Sequence, residues 1–174
     1  MNTPPCGLVA LLALSSSLLA SDPSRPPTDP QAAYSQLKGL AGEWKGGIGK
    51  PDGPSNSVLY RVTANGHTVM ETLFPGTDHE MISMYHLDGR ELVLTHYCAA
   101  GNQPKMKFNP EKSTATELVF DFTGGSNLDP AKDGHVHCGR IRLPEPNRIE
   151  ADWVFYAEGK PAGTNRFFLM RKPD

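Results

Sequence analysis

Residues 40–49 read LAGEWKGGIG, and the Gly42-Glu43-Trp44 triplet inside them divides the chain into two patterns. Before the triplet, apolar residues recur at intervals of three, as on one side of a helix. After it, short alternations of apolar and polar residues, typical of half-buried strands, follow one another along the chain. The sequence therefore predicts a mainly β protein that is entered through a helix.

The helical pattern has a start signal and a narrow apolar stripe. Asp29 is a good N-cap and Pro30 suits the first helical position. Tyr34, Leu37 and Leu40 then share one side of the chain. We expect a helix of about three turns or fewer that caps one end of the β structure.

Ten strand candidates follow, with short links between them. A meander of this kind removes both of its exposed edges when it closes. We therefore predict an all-β fold, an antiparallel meander of about ten strands closed into a barrel. A two-sheet sandwich is the alternative, but the long crossovers that its Greek keys need are not seen. The candidates are residues 43–49, 58–63, 68–74, 80–87, 90–98, 105–108, 117–123, 135–143, 148–157 and 163–171.

Two dipeptides predict hairpins and their registers. A two-residue turn at Asn65-Gly66 places Tyr60 opposite Glu71. If Tyr60 faces inward, Glu71 enters a largely apolar interior, where a carboxylate needs a charge, a hydroxyl or a ligand as its partner. Structural and functional interpretations of Glu71 both stay open.

The second hairpin is less clear. A turn at Asp88-Gly89 places His86 opposite Glu91 and Met84 opposite Val93, and the first pair suits a surface contact better than an acid–base dyad. Neither face of this hairpin is cleanly polar, so either can look inward. One face carries Met81, Ser83, Tyr85, Leu92, Leu94, His96 and Cys98; the other carries Glu80, Ile82, Met84, His86, Glu91, Val93, Thr95 and Tyr97.

The N-terminal part of the chain resembles an export signal. Residues 1–20 contain no Asp, Glu, Lys or Arg, and residues 7–20 form an apolar run too short to span a bilayer. We predict a signal peptide over 1–20, a Pro-rich linker over 21–30 and one barrel domain over 31–174. The mature protein would be periplasmic or secreted; a buried helix is the alternative for the apolar run.

Composition excludes some partners and leaves the cysteines open. The net charge is −2 and basic residues are scattered, so we expect no nucleic-acid partner. No other apolar run in the chain is long enough for a membrane span. Cys98 and Cys138 remain after removal of the leader. They would form a disulfide if their Cα atoms lie within about 7 Å, and are otherwise two buried thiols.

The short helix, the Gly42-x-Trp44 motif and the meander together resemble the lipocalin-like (calycin) barrel superfamily. The resemblance implies a barrel with an interior ligand site and a basic residue from the end of the chain stacked across Trp44. Arg166 is the first candidate for that residue and Arg171 the second. An ion pair between Asp152 and Arg166 is a further expectation. The chain is also similar to exported bacterial barrels of no assigned function.

A weaker similarity links the chain to nitrobindin-type haem barrels. It rests on the continuation from Trp44 to Gly46. Ile48 stands where those barrels have a further Gly, and no His follows His137 to supply their late haem ligand. The cofactor therefore stays unknown.

Two local clusters suggest chemistry. His135 and His137 are two residues apart, so on a strand they point to one side at about 6.5–7 Å and can bind one zinc or copper ion. His96 or Glu71 would be the third ligand; two solvated histidines are the alternative. Cys98 shares a face with His96, but no Asn or Asp is placed to orient the His, so a structural Cys is favoured over a nucleophile.

Three hypotheses follow for function. The first is a non-enzymatic, exported barrel that binds a small, partly apolar ligand through Tyr60, Glu71, Met84 and His86. The second is a metal- or haem-binding barrel, enzymatic or not, that uses His135, His137 and a third ligand. The third is an envelope interaction protein whose barrel is filled and whose apolar patch lies outside. No catalytic residue is assigned, and the oligomeric state is left open.

Overall fold

A computed structural model describes residues 29–173. The predicted signal peptide (1–20) and the predicted linker up to residue 28 lie outside these residues, so the export hypothesis stays a prediction.

Helix α1 spans Pro30–Gly39. The Asp29 side chain accepts a hydrogen bond from the Gln31 amide at 2.9 Å, which confirms the predicted cap. The buried side of α1 lies over one end of the β structure. There the Tyr34 hydroxyl donates to the Gly66 carbonyl (3.3 Å), and the Gln36 amide donates to the Ala115 carbonyl (3.0 Å).

The ten strands form one closed antiparallel barrel, as predicted. Each strand pairs with the next one in sequence, and β1 pairs with β10 to complete the circle. The strands are β1 Gly42–Ile48, β2 Ser55–Thr63, β3 Thr68–Leu73, β4 Met81–Asp88, β5 Glu91–Tyr97, β6 Gln103–Phe108, β7 Glu117–Ser126, β8 His135–Arg142, β9 Arg148–Ala157 and β10 Lys160–Arg171.

The first hairpin has the predicted register, with Tyr60 opposite Glu71. The predicted register of the second hairpin is wrong by two residues. Asp88 pairs with Glu91, so His86 lies opposite Val93 instead of Glu91. The reason is the turn: Gly89 has a φ of 59° and takes the first turn position, as in a Gly-X loop.

A slip of two residues leaves every side chain on its predicted face. The face that looks inward is the one that contains Ser83, Tyr85 and His96, all of which are fully buried. Ile82, Met84 and the other alternate residues of β4 and β5 lie on the outer face, where they are partly exposed.

Trp44 and Arg171 close the helix end of the barrel. The Trp44 indole is buried and donates to the Leu40 carbonyl at 2.8 Å. The guanidinium of Arg171 lies 4.3 Å above the ring and donates to the Ala41 and Gly39 carbonyls. The first candidate for this stacking partner, Arg166, is therefore wrong and the second is right.

Arg166 lies instead on the outer face of β10. Its guanidinium donates to both carboxylate oxygens of Asp152, at 2.6 and 3.0 Å, so the expected ion pair forms. The separation from Trp44 follows from register, because Arg171, and not Arg166, is opposite Trp44 on β1.

The seam between β1 and β10 is a close approach of two backbones. A Cβ atom on Gly46 would lie 1.8 Å from the Phe168 carbonyl oxygen. Only glycine fits there without a shift of the backbone. The second glycine of the sequence motif is thus required by barrel closure.

The interior of β6–β10 is packed with apolar side chains. Phe120 is fully buried and its ring lies edge-on to Tyr85 and to Phe108, with centroids 5.5 and 5.9 Å apart. Other buried residues of this half are Met106, Leu118, Ile141, Ile149, Ala151, Trp153, Phe167 and Leu169.

Cys98 and Cys138 are free thiols, so the disulfide alternative does not hold. Cys98 follows β5, where its sulfur lies 4.0 Å from the Met81 sulfur. Cys138 is partly buried on β8, and burial raises the pKa of its thiol. Both are partly exposed rather than fully buried.

Candidate functional site

A row of four polar residues crosses the inner surface of the barrel. Tyr60 on β2 is opposite Glu71 on β3, Glu71 is opposite Ser83 on β4, and Ser83 is opposite His96 on β5. All four are at most 1 % exposed. We call this set the polar row, and it is the candidate functional site because buried polar groups persist only where hydrogen bonds hold them.

Glu71 is the centre of the polar row. Its two carboxylate oxygens accept hydrogen bonds from the hydroxyls of Tyr60 (2.7 Å) and Tyr85 (2.6 Å). Burial raises the pKa of Glu71, and the hydroxyls of Tyr85, Tyr60 and Ser83 offset part of that shift. The same surroundings raise the pKa of both tyrosines well above their usual value.

His96 continues the row toward the opposite side of the barrel. Its Nδ1 lies 3.0 Å from the Ser83 hydroxyl oxygen. Burial lowers the pKa of His96 to about 4, so the ring is neutral at neutral pH. The ring stacks on Trp153 of β9, with centroids 5.8 Å apart at 25°. Three strands separate β5 from β9 along the wall, so this contact spans the lumen.

Four buried polar atoms near this level have no hydrogen-bond partner among residues 29–173. His96 Nε2 and Trp153 Nε1 belong to the stacked pair. Asn56 Nδ2 is on the inward-facing side of β2, where Asn56 comes two residues before Val58. Asn102 Oδ1 lies in the loop between β5 and β6. All four are in the half of the barrel remote from α1.

This arrangement offers both donors and acceptors to a small guest. The indole of Trp153 and the amide nitrogen of Asn56 donate only, the Asn102 oxygen accepts only, and neutral His96 does either according to its tautomer. If Ser83 donates to Glu71, His96 Nδ1 carries the proton and Nε2 is an acceptor. A few polar groups within an apolar interior are typical of ligand sites in general.

Two of the sequence-predicted ligand residues are not part of the polar row. Met84 and His86 alternate with Ser83 and Tyr85 along β4, so they lie on the outer face and cannot line the interior together with Glu71. The predicted lining is corrected in this respect. Sequence reasoning could not choose the inward face because both faces mix polar and apolar residues.

The structure does not assemble the sequence-predicted metal set. At a bulge between Val136 and Cys138, His135 Nε2 lies 3.0 Å from His137 Nδ1, so the two rings are hydrogen-bonded to each other. His135 Nδ1 lies 2.9 Å from the Asp133 carbonyl oxygen. Within residues 29–173, no three His, Cys, Asp or Glu side chains are arranged to hold a metal ion.

The imidazole of His137 is instead held by aromatic rings. It lies between Phe122 (centroids 4.6 Å apart, 23°) and Tyr156 (3.8 Å, 17°). Burial and the neighbouring His135 ring lower the pKa of His137. These contacts describe a packed structural cluster.

Cys98 and His96 contact different partners. His96 Nδ1 is engaged with Ser83, whereas the Cys98 sulfur contacts Met81 and accepts from the Ala100 amide at 3.5 Å. Cys98 and His96 are therefore not placed as a nucleophile and its base.

Sequence reasoning missed five residues of the site: Ser83, Tyr85, Asn56, Asn102 and Trp153. The register across the 74–80 loop would have revealed the first two, because it sets which residue of β4 lies beside Glu71. No sequence signal marks Trp153 or Asn56. Their place in the site depends on contacts across the barrel interior between strands that are not neighbours, as between Trp153 on β9 and His96 on β5.

None of the helices within residues 29–173 is long and apolar enough to cross a membrane. No protein-family model, curated protein or solved structure matches this chain.

Proposed function

We propose that this protein is an exported, lipocalin-like barrel that binds a small, partly apolar molecule in the half of the barrel remote from α1. The observation that carries the proposal is the set of buried polar atoms without a protein partner, at and around His96 and Trp153. A buried donor or acceptor left unpaired costs about 1–3 kcal/mol. We therefore expect these four atoms to be paired by a bound guest, with ordered water as the outcome that the experiment below separates from it.

The chemistry of the proposed ligand follows from these atoms. It has an acceptor for the Trp153 N–H, a polar group for His96 Nε2, and an apolar part that packs against the surrounding aromatic rings. Because the His96 ring is neutral and Glu71 is enclosed by hydroxyls, the site favours an uncharged ligand over an ion. The proposal assigns no catalytic residue.

The experiment is native mass spectrometry of the full chain, expressed with its leader and collected from the exported fraction. We expect a mass above that of the polypeptide, lost on denaturation, in a monomer that begins near residue 21. A polypeptide mass alone, at every concentration tested, would mean that water fills these hydrogen bonds and would overturn the ligand-binding proposal.

Two Trp→Phe variants provide a matched pair. Trp153→Phe removes an indole N–H that has no protein partner, whereas Trp44→Phe removes one that bonds to Leu40. We expect Trp153→Phe to lower ligand occupancy about tenfold, in line with one lost hydrogen bond of about 1.4 kcal/mol. Trp44→Phe should keep the ligand. Equal occupancy in both variants would exclude this site.

A further inference from the structure

The outer face of β2–β5 carries an apolar surface on the same strands whose inner face holds the polar row. It has three rows, partly exposed except at the buried Thr72, and the central one runs from Met70 to Met84 to Thr95. We call this surface the apolar wall, and its members are Leu59, Met70, Thr72, Ile82, Met84, Val93, Thr95 and Tyr97.

Asp, Glu, Lys and Arg side chains do not interrupt the apolar wall, but His86 lies beside Val93 in one of its outer rows. Tyr97 at its margin is 49 % exposed. Four strands at about 4.8 Å spacing and five residues at about 3.3 Å rise give a surface of roughly 300 Å². A contiguous apolar surface of a few hundred Å² is typical of an interaction site.

Two exposed cations stand at the two ends of the central row. Arg61 on β2 is opposite Met70, and Lys105 on β6 is opposite Thr95. Neither forms an ion pair with any residue from 29 to 173. Four interstrand steps separate them, or about 19 Å.

The opposite wall of the barrel shows that this is not the general rule for its cations. On the outer face of β7–β10, Arg140 pairs with Glu117 at 2.7 Å, and Arg142 and Arg166 both pair with Asp152. These three arginines are neutralised by carboxylates of the same wall. Arg61 and Lys105 have no such carboxylate partner among residues 29–173.

A second copy of the chain does not fit this charge pattern. In an aligned twofold packing of two such walls, Arg61 meets either Arg61 or Lys105 of the other copy. A lipid surface fits poorly as well, because the apolar residues lie at the centres of strands of the barrel wall instead of projecting from loops.

We propose that the apolar wall is a docking surface for an acidic, amphipathic segment of a partner protein. The apolar side chains of the segment would cover Met70, Ile82 and Met84. Carboxylates about 19 Å apart would pair with Arg61 and Lys105. A helix of about 13 residues has this length.

The test uses a synthetic 16-residue amphipathic helix with one Leu stripe and Glu at both ends, and the same peptide with Lys in place of Glu. Fluorescence anisotropy of the labelled peptides measures binding to the full chain. We expect the acidic peptide to bind at least tenfold more tightly than the basic one.

Met84→Glu should weaken binding of the acidic peptide at least tenfold, because it places a like charge at the centre of the wall. The double variant Arg61→Glu/Lys105→Glu should reverse the preference between the peptides. Arg140→Glu on the opposite wall is the matched control and should change neither. Urea unfolding of each variant checks that the barrel is intact.

Three results would overturn the proposal: no binding of the acidic peptide, binding that Met84→Glu does not change, or equal binding of both peptides. Sedimentation velocity would reveal a dimer abolished by Met84→Glu, and flotation with vesicles of 70 % phosphatidylcholine and 30 % phosphatidylglycerol would reveal lipid binding. Either outcome would replace the acidic partner with the one observed.

Discussion

The two walls of this barrel differ on both faces. The β7–β10 wall has Phe120, Ile141 and Trp153 inside and ion pairs such as Arg166–Asp152 outside. The β2–β5 wall has the polar row inside, set among buried apolar residues such as Val58 and Leu94, and the apolar wall outside. Both walls keep the alternation of a strand, so the alternation alone does not say which face is the interior.

The polar row and the apolar wall have different requirements. A polar interior persists only where each group finds a partner, and Glu71 has two hydroxyls as partners. An apolar exterior leaves surface in contact with water unless something covers it. The inward hydrogen bonds of Glu71 are therefore supplied by the chain itself, whereas cover for the outer face is what we propose a partner supplies.

Truncation of a large side chain tests the packing difference most strongly. Phe120→Ala should lower the free energy of unfolding by about 3–5 kcal/mol, because it opens a cavity between Tyr85 and Phe108. Met84→Ala, on the outer face of the other wall, should cost less than about 1 kcal/mol. Urea denaturation followed by far-UV circular dichroism measures both. Equal losses would contradict the assignment of inner and outer faces.

The second prediction concerns acid. Because the pKa of His96 is lowered from 6.5 to about 4, the unfolded chain binds a proton more tightly than the folded protein. Stability should then fall as the pH drops from 6.5 toward 4, by about 3 kcal/mol from this residue. The wild type and His96→Gln should be compared by urea unfolding at pH 4.5, 5.5 and 6.5. Parallel pH profiles for the two proteins would show that His96 titrates normally.

The third prediction separates hydrogen bonding from charge at Glu71. Glu71→Leu removes the acceptor of two buried hydroxyls and should be about 2 kcal/mol less stable than Glu71→Gln, whose amide serves both tyrosines. Thermal and urea unfolding at pH 7 measure the difference. If both variants are equally stable, the hydroxyls of Tyr60 and Tyr85 have other partners.

Glu71 also has a pH signature with the opposite sign to that of His96. Burial raises its pKa above the ordinary 4.5, so its contribution to stability is present below that pH and is lost as the pH rises toward the folded-state pKa. Glu71→Gln should remove this decline. Its stability relative to the wild type should therefore increase above pH 4.5.

The smallest change in the free energy of unfolding is expected for the ion pairs on the outer face of β7–β10. Asp152→Asn weakens the bonds to Arg142 and Arg166, but the Arg166 side chain is 48 % exposed and water replaces much of the loss. We expect about 1 kcal/mol at low salt and less at high salt. A loss above about 2 kcal/mol, independent of salt, would show that this wall depends on its ion pairs more than a solvated surface does.

Much of the fold could be predicted, because strand alternation and turn residues act locally. The helix cap at Asp29, the ten strands, closure and the Tyr60–Glu71 register all depend on such signals. The Gly89 turn was misread by one position because Asp-Gly and Gly-Arg turns suit the same stretch. The error changes which residues of β4 and β5 are opposite each other, but each side chain stays on the face that was predicted for it.

The candidate site could be predicted only in part, because it depends on contacts between distant strands. Glu71 and Tyr60 share a hairpin and were found, whereas the His96–Trp153 stack joins opposite walls. Met84 and His86 were misplaced because the β2–β5 wall carries apolar side chains on its outer face. The β1–β10 register decides which arginine stacks on Trp44. This register comprises five residue pairs, and no local sequence signal marks it.

The seam between β1 and β10 also has a consequence in time. Arg171 bonds to the carbonyl of Gly39, 132 residues away in the sequence, and Phe167–Leu169 lie alongside Gly46–Ile48. The barrel cannot close until this late segment has left the ribosome, and pairing across such a separation is slow. Until then β1 and the strands already made have open edges.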